Sequence, residues 1–190
     1  MGDRHLSLGL FSMTSENHQA EPISHSSEKS MQILVVYYSR SGKTKKVAED
    51  LVKILGCDVE QVIDTKKRAG PLGFLSAGKD AGQGSLTTIE GTKYDPSGYD
   101  LLIIGTPVWN NTISTPIRTY LSMHKDKIAN AAFFLTQQRK ESDAFGDMQK
   151  VLGKPPAATL QLIRVQSLDR TEYQEKIDTF VSLLSPYRSK

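Results

Sequence analysis

Ile33-Leu34-Val35-Val36-Tyr37-Tyr38-Ser39-Arg40-Ser41-Gly42-Lys43-Thr44 is the stretch that decides how this chain of 190 residues folds. Its first half is an unbroken aliphatic and aromatic run, the composition of a strand buried on both faces of a parallel sheet. Its second half, hydroxyls with glycine and base, is a turn. A helix follows, with Val47, Leu51 and Leu55 on one stripe, Ala48 and Val52 beside it, and Gly56 to stop it. Strand, turn and helix in so short a span open an α/β unit.

The pattern repeats downstream. Val59–Ile63 reads as a short second strand, and Leu101-Leu102-Ile103-Ile104-Gly105-Thr106 as a third, fully buried one. After a loop, Thr115-Pro116 opens a helix, with Thr115 as cap and proline at the first helical position. Ala131–Thr136 is a fourth strand. Ser142 starts the next helix, with Ala144, Phe145, Met148 and Leu152 inward, and Ala158–Val165 alternates as an edge strand should. Thr171-Glu172-Tyr173-Gln174 reads as a capping box for a last helix whose stripe is Tyr173, Ile177, Phe180, Val181 and Leu184. The glycine-rich stretch Asp64–Asp100 is too long for a plain connection and predicts one short helix with much irregular loop. Five strands alternating with helices imply a parallel sheet doubly wound by right-handed crossovers.

Upstream, residues 1–30 are polar, rich in Ser and His and aperiodic, which predicts a flexible N-terminal extension to a single domain over residues 31–190. With 38% hydrophobic and 24% charged residues the composition is that of an ordinary globular chain. A lone cysteine, Cys57, excludes an internal disulfide and a cysteine zinc cluster, and three of the four histidines lie in the extension. No metal site is expected. No apolar run reaches the roughly 18 residues of a membrane span. Leu6–Met13 is short and interrupted, without a basic start or cleavage site, and Leu6 breaks the myristoylation pattern. Asp3, Glu16, Glu21 and Glu28 oppose a mitochondrial presequence, so a cytoplasmic setting is expected.

In an open parallel sheet, ligands bind beyond the carboxyl ends of the strands, where strand order reverses. The loops after strands one, three and four are therefore the candidates for function. The first offers three hydroxyls (Ser39, Ser41, Thr44) and the unsatisfied N–H groups of a helix N-terminus, which suits a phosphate. Gly42 lets the backbone curl around an anion with no Cβ in the way. An ordinary strand-to-helix turn with a Ser/Thr cap uses the same residue types, and spacing alone leaves both readings open. A triphosphate-binding P-loop fails, because its pattern needs glycine at position 37, where Tyr37 stands.

Taken together, Tyr37–Thr44 resembles the phosphate-loop signature of the flavodoxin family, Ser/Thr-x-Ser/Thr-Gly-x-Thr after strand one. Gly105-Thr106-Pro107-Val108-Trp109-Asn110 is similar to that family's flavin loop after strand three. The likeness runs from Met31 to Leu184. It implies a flavodoxin-like α/β fold, doubly wound, with a five-stranded parallel sheet in the order 2-1-3-4-5, holding one FMN non-covalently. Carried over position by position, Ser39, Arg40, Ser41, Gly42, Lys43 and Thr44 would wrap the phosphate. Thr106, Pro107, Val108, Trp109 and Asn110 would contact the isoalloxazine, with Trp109 as its stacking partner. A core tryptophan is the other reading of Trp109, disfavoured by its place after Thr-Pro at the strand's end. Asn110 and Asn111 tolerate left-handed backbone. In the family a peptide near this point turns a carbonyl towards the reduced flavin, which at Asn110 would imply a stabilised semiquinone. After strand four the chain departs from its likeness, reading Thr136-Gln137-Gln138-Arg139-Lys140-Glu141 where relatives place glycines. The resemblance still implies that backbone groups of Thr136, Gln137 and Gln138 meet the flavin's pyrimidine edge.

Charge is a second departure. The whole chain carries +3, and two basic against four acidic residues in 1–30 leave +5 on residues 31–190, where familiar flavodoxins are acidic. Steering would then favour acidic redox partner proteins or anionic small molecules, and no motif supports nucleic acid. The function implied is electron transfer through FMN. An FMN-dependent NAD(P)H:quinone-type oxidoreductase is the alternative, and a domain that has lost its flavin is a third. No catalytic side chain is expected, since the cofactor would carry the reaction.

Overall fold

A computed structural model describes residues 31–66, 70–139 and 141–187, the side chains of residues 71 and 74 excepted. The expected extension over 1–30 lies outside the described residues. The interior strand β1 (Ile33–Tyr37) pairs in parallel with β2 (Asp58–Gln61) on one side and β3 (Leu101–Trp109) on the other. Beyond β3 lie β5 (Ala131–Gln137) and then β6 (Thr159–Ile163), also parallel. The order β2-β1-β3-β5-β6 is the expected 2-1-3-4-5 once the added two-residue strand β4 (Thr112–Ile113), antiparallel to the end of β3, is set aside.

The period of two along the strands builds two separate cores. Leu34, Val36, Leu102, Ile104, Phe133 and Leu135 face α2 (Gly70–Gly82), α3 (Thr115–His124) and α4 (Ala144–Leu152). Ile33, Val35, Leu101, Ile103, Phe134 and Leu160 face α1 (Lys43–Leu55) and α5 (Arg170–Leu183). The stripes expected on α1 and α5 are the ones packed on the sheet, with Val52, Leu55 and Tyr173 only partly buried, and Gly56 ends α1 in the left-handed conformation, φ 62°. Gly105 has a packing role: it pairs with Phe134, whose ring occupies the space a Cβ at Gly105 would need.

Several boundaries differ from the sequence reading. β2 starts at Asp58 and ends at Gln61, leaving Ile63 beyond it and Val59 on the open face of an edge strand. Ser114, extended at φ −63° and ψ 143°, takes the cap position of α3, so Thr115 is already helical. The expected capping box at Thr171 is displaced by Asp169, whose carboxylate accepts the Glu172 N–H at 2.8 Å. α4 begins at Ala144 because Ser142 turns its hydroxyl to Gln137 Oε1 at 2.8 Å. β6 is confined to Thr159–Ile163. β3 runs on through Trp109, since Val108 and Trp109 pair with Ile113 and Thr112. What reads as a loop is a strand end and a tight hairpin. Among the described residues no helix is long and apolar enough to cross a membrane.

Candidate functional site

The connections after β1, β3 and β5 close around one cleft of about 760 Å³. Its first wall is the turn into α1. Tyr38 donates its N–H to the Gly105 carbonyl at 3.1 Å, and the chain then leaves the sheet. Gly42, at φ 83°, stands at the N-cap, where it supplies no capping side chain, and the first turn of α1 holds no acid. The first-turn N–H groups of a helix have no intrahelical acceptor, so the end of α1 presents donors and partial positive charge. Arg40, Ser41 and Lys43 line the cleft beside it. Ser39 Oγ is buried with no hydrogen-bond partner. Thr44 is 1% exposed and its hydroxyl is bonded to Thr136 Oγ1 at 2.8 Å, so it ties α1 to β5 behind the cleft wall.

The second wall is the β3–β4 hairpin. Pro107, Val108, Trp109, Asn110 and Asn111 line the cleft. Thr106 does not: it is fully buried, its hydroxyl bonded to Ser114 Oγ at 2.8 Å and accepting the Ser114 N–H at 3.1 Å. Trp109 reaches the cleft while filling the core, at 6% exposure, and meets Tyr38 edge-on at 5.4 Å between ring centroids. The core reading disfavoured from the sequence is thus realised, because the strand does not end before Trp109. The Arg40 guanidinium lies over the indole, 5.6 Å from its centroid, so a cation covers the ring from the side of the β1–α1 turn.

The third wall is the end of β5. Thr136, Gln137 and Gln138 line the cleft with Arg139. Arg164 engages this segment from β6's far end: its N–H donates to the Gln137 carbonyl at 2.7 Å and its Nε to the Gln138 carbonyl at 3.4 Å. A side that sequence reasoning missed is supplied by Leu75, Gly78 and Lys79 of α2, with Glu141 and Val165. The one short helix expected within Asp64–Asp100 is α2, 13 residues long despite glycines at 70, 73, 78 and 82, and its Ala77 and Ala81 pack on the sheet. Among the charged groups lining the cleft, Arg40, Lys43, Lys79 and Arg139 outnumber Glu141. Lys45 and Lys46 turn instead to Glu49 and Asp50 on their own helix, at 3.8 and 2.7 Å. Among the described residues no cluster of His, Cys, Asp and Glu could hold a metal ion.

No protein-family model and no curated protein matches this chain. Solved structures do. The chain is similar to a flavoprotein from Lactobacillus acidophilus NCFM in complex with FMN, at 23% identity and a TM-score of 0.64, covering 80% of this chain and 99% of that one. The apo-form of the Lactobacillus protein aligns with a TM-score of 0.54 over 72% of this chain and 96% of its own, again at 23% identity. A flavodoxin, WrbA-like protein from Agrobacterium tumefaciens aligns at 14% identity with a TM-score of 0.50, over 84% of this chain and 98% of that one. These likenesses define the fold as flavodoxin-like, which agrees with the strand order and with a cleft at the reversal between β1 and β3.

Proposed function

We propose that the protein binds one FMN non-covalently in this cleft and serves as an electron-transfer flavoprotein. The observation that carries the reading is the turn from Ser39 to Lys43. It combines a buried, unpartnered serine oxygen, a helix N-terminus capped by glycine with no acid in its first turn, and two cations at its mouth. A buried hydroxyl without a partner costs stability, and a phosphomonoester oxygen would satisfy it together with the helix amides. Ser39, Ser41, Gly42 and Lys43 would hold the phosphate. The isoalloxazine would lie between the β3–β4 hairpin and the end of β5, against Trp109 and Asn110 on one side and Thr136 to Gln138 on the other. When bound, the flavin supplies the electron-accepting centre; the chain positions it and sets its access. The Lactobacillus structure described as a complex with FMN supports the choice of ligand.

The test is uptake of FMN by apoprotein, followed by quenching of flavin fluorescence. Stoichiometric uptake at micromolar concentration is the expected result, and failure to take up FMN overturns the reading. Ser39→Ala gives the sharper comparison. It removes an unsatisfied buried oxygen, so the apoprotein should melt no lower than wild type. FMN affinity should fall about tenfold, the worth of roughly 1.4 kcal/mol. A second reading, an FMN-dependent NAD(P)H:quinone-type oxidoreductase, is favoured by Leu75, 66% exposed at the cleft, a bench for an apolar acceptor. NAD(P)H consumption with a quinone, faster than free FMN supports, would select it.

A further inference from the structure

α2 turns two apolar side chains to solvent beside the cleft. Leu72 is 82% exposed and Leu75, one turn on, 66%, while Ala77 and Ala81 take the inner side of the helix. Lys79 continues the outer stripe, since positions i, i+3 and i+7 share one helical face. Arg139 after β5 and Arg164 after β6 stand at the same rim, and both arginines and Lys79 are exposed. Arg164 holds a left-handed φ of 47°, costly for a residue with a Cβ. Its hydrogen bonds over-determine that conformation: the N–H and Nε donate to the Gln137 and Gln138 carbonyls, and the carbonyl accepts the Ser167 N–H at 2.6 Å. Strain is thus kept where it holds a guanidinium beside Gln138, which lines the cleft.

Lys79, Arg139 and Arg164 are in no ion pair among the described residues, whereas Lys45, Lys46, Lys66, Lys127, Lys150 and Lys176 each meet a carboxylate elsewhere on the surface. Glu141 is the acid among the described residues that line the cleft. A bound phosphate would offset Arg40 and Lys43, which leaves the three rim cations against that one acid around the two leucines. The cations belong to separate elements about a concave opening. That spread suits a partner with several carboxylates about an apolar knob. A flat lipid surface would meet few of them at once.

We propose that this rim docks an acidic protein, whose carboxylates meet Lys79, Arg139 and Arg164 while an apolar side chain seats on Leu72 and Leu75. That the partner is a redox protein rests on the FMN reading above; the contact itself does not. Charges at a rim mainly speed encounter and make it salt-dependent, while burial of the leucines slows departure. Two leucines and a few charges are too little for a permanent interface. They fit a transient contact, of the class that buries less than about 1,200 Å² in total.

The probes are cytochrome c, which is basic, and its succinylated form, whose lysines have become carboxylates. Binding of each to the full chain without cofactor is followed by surface plasmon resonance. At low salt the succinylated form should bind about tenfold tighter than the native one, and high salt should erase the preference. Lys79→Glu should slow association with the succinylated form about fivefold. Lys176→Glu, the same charge change on α5 across the sheet, should alter it by less than about twofold. Leu72→Ser with Leu75→Ser should speed dissociation about threefold and leave the salt dependence unchanged. Equal binding of the two forms, an equal loss in Lys176→Glu, or unchanged dissociation without the leucines overturns the docking surface. So does sedimentation of the chain with phosphatidylserine vesicles that the two serine substitutions abolish, which assigns the face to a membrane. FMN uptake is measured separately. Its failure removes the redox role alone, whereas failed docking beside intact uptake leaves the cofactor reading standing.

Discussion

Gly105 and Phe134 show how little space this sheet leaves beside the cleft. They face each other across β3 and β5, and the ring occupies what would be the Cβ position of Gly105. Gly105→Ala must push the ring or the strand aside at the point where the hairpin departs. Overpacking of this kind costs about 1–3 kcal/mol, so a drop in the denaturation midpoint of that size is expected, with FMN uptake weakened too. Gly42 is constrained for a different reason. At φ 83° it has open space around it, so Gly42→Ala would strain the backbone rather than the packing, at about 1–2 kcal/mol. Its measure is the same midpoint, with helical signal largely retained.

At the scale of elements, caps and contacts between helices decide where each segment begins. Asp169 accepts the Glu172 N–H and opens α5, so Asp169→Ala should cost about 1 kcal/mol in chemical denaturation, whereas Thr171→Ala should cost little. The comparison separates the observed cap from the capping box that the sequence suggests. Such errors mark what local pattern can and cannot convey. β1, β3, β5 and the stripes of α1 and α5 were legible because burial on both faces, or on one helical stripe, is written directly into residue type. The reach of β3 through Trp109 was not, because it depends on pairing with Thr112 and Ile113, two residues whose strand character exists only in the hairpin. α2 was expected only as one short helix somewhere in Asp64–Asp100, because its glycines weaken helix propensity and blur its bounds, while its small Ala77 and Ala81 lie against the sheet. Of the residues that line the cleft, Arg40, Ser41, Lys43, Trp109, Asn110 and Thr136 to Gln138 were legible as neighbours in space, because they follow the ends of adjacent parallel strands. The burial of Thr106 and the helix closing the far side were not, since a side chain's direction at a strand end follows from tertiary contacts.

At the scale of the whole molecule, the charged groups outside the cleft set the response to pH. His124 ends α3 with its ring 4.6 Å from that of Tyr120. Burial, reinforced by Lys127, holds its pKa below the ordinary 6.5, against weaker pulls from Asp95 and Glu60. The folded state therefore takes up the proton less readily than the unfolded chain. The stability this histidine contributes is complete above pH 6.5 and is lost as pH falls towards the lowered value. Melting temperature should decline over that window, and His124→Gln should flatten the decline. Asp50 acts at lower pH. Burial opposes its ionisation, but hydrogen bonds from Lys46 and from Tyr173 at 2.8 Å prevail and keep its carboxyl below the usual range, so the α1–α5 link fades only in acid.

The strand order has a consequence for how the chain comes to be folded as it is made. β1 is the first of the described strands to be synthesised, yet it lies inside the sheet, and one of its two neighbours is β3, which ends at Trp109. The aliphatic run at 33–38 must wait, unpaired on that side, through the whole glycine-rich segment before its partner arrives. The third wall of the cleft waits longer, until Gln137 is synthesised. Nascent chains shorter than this should expose that run to chaperones and gain protease resistance abruptly once β5 has emerged.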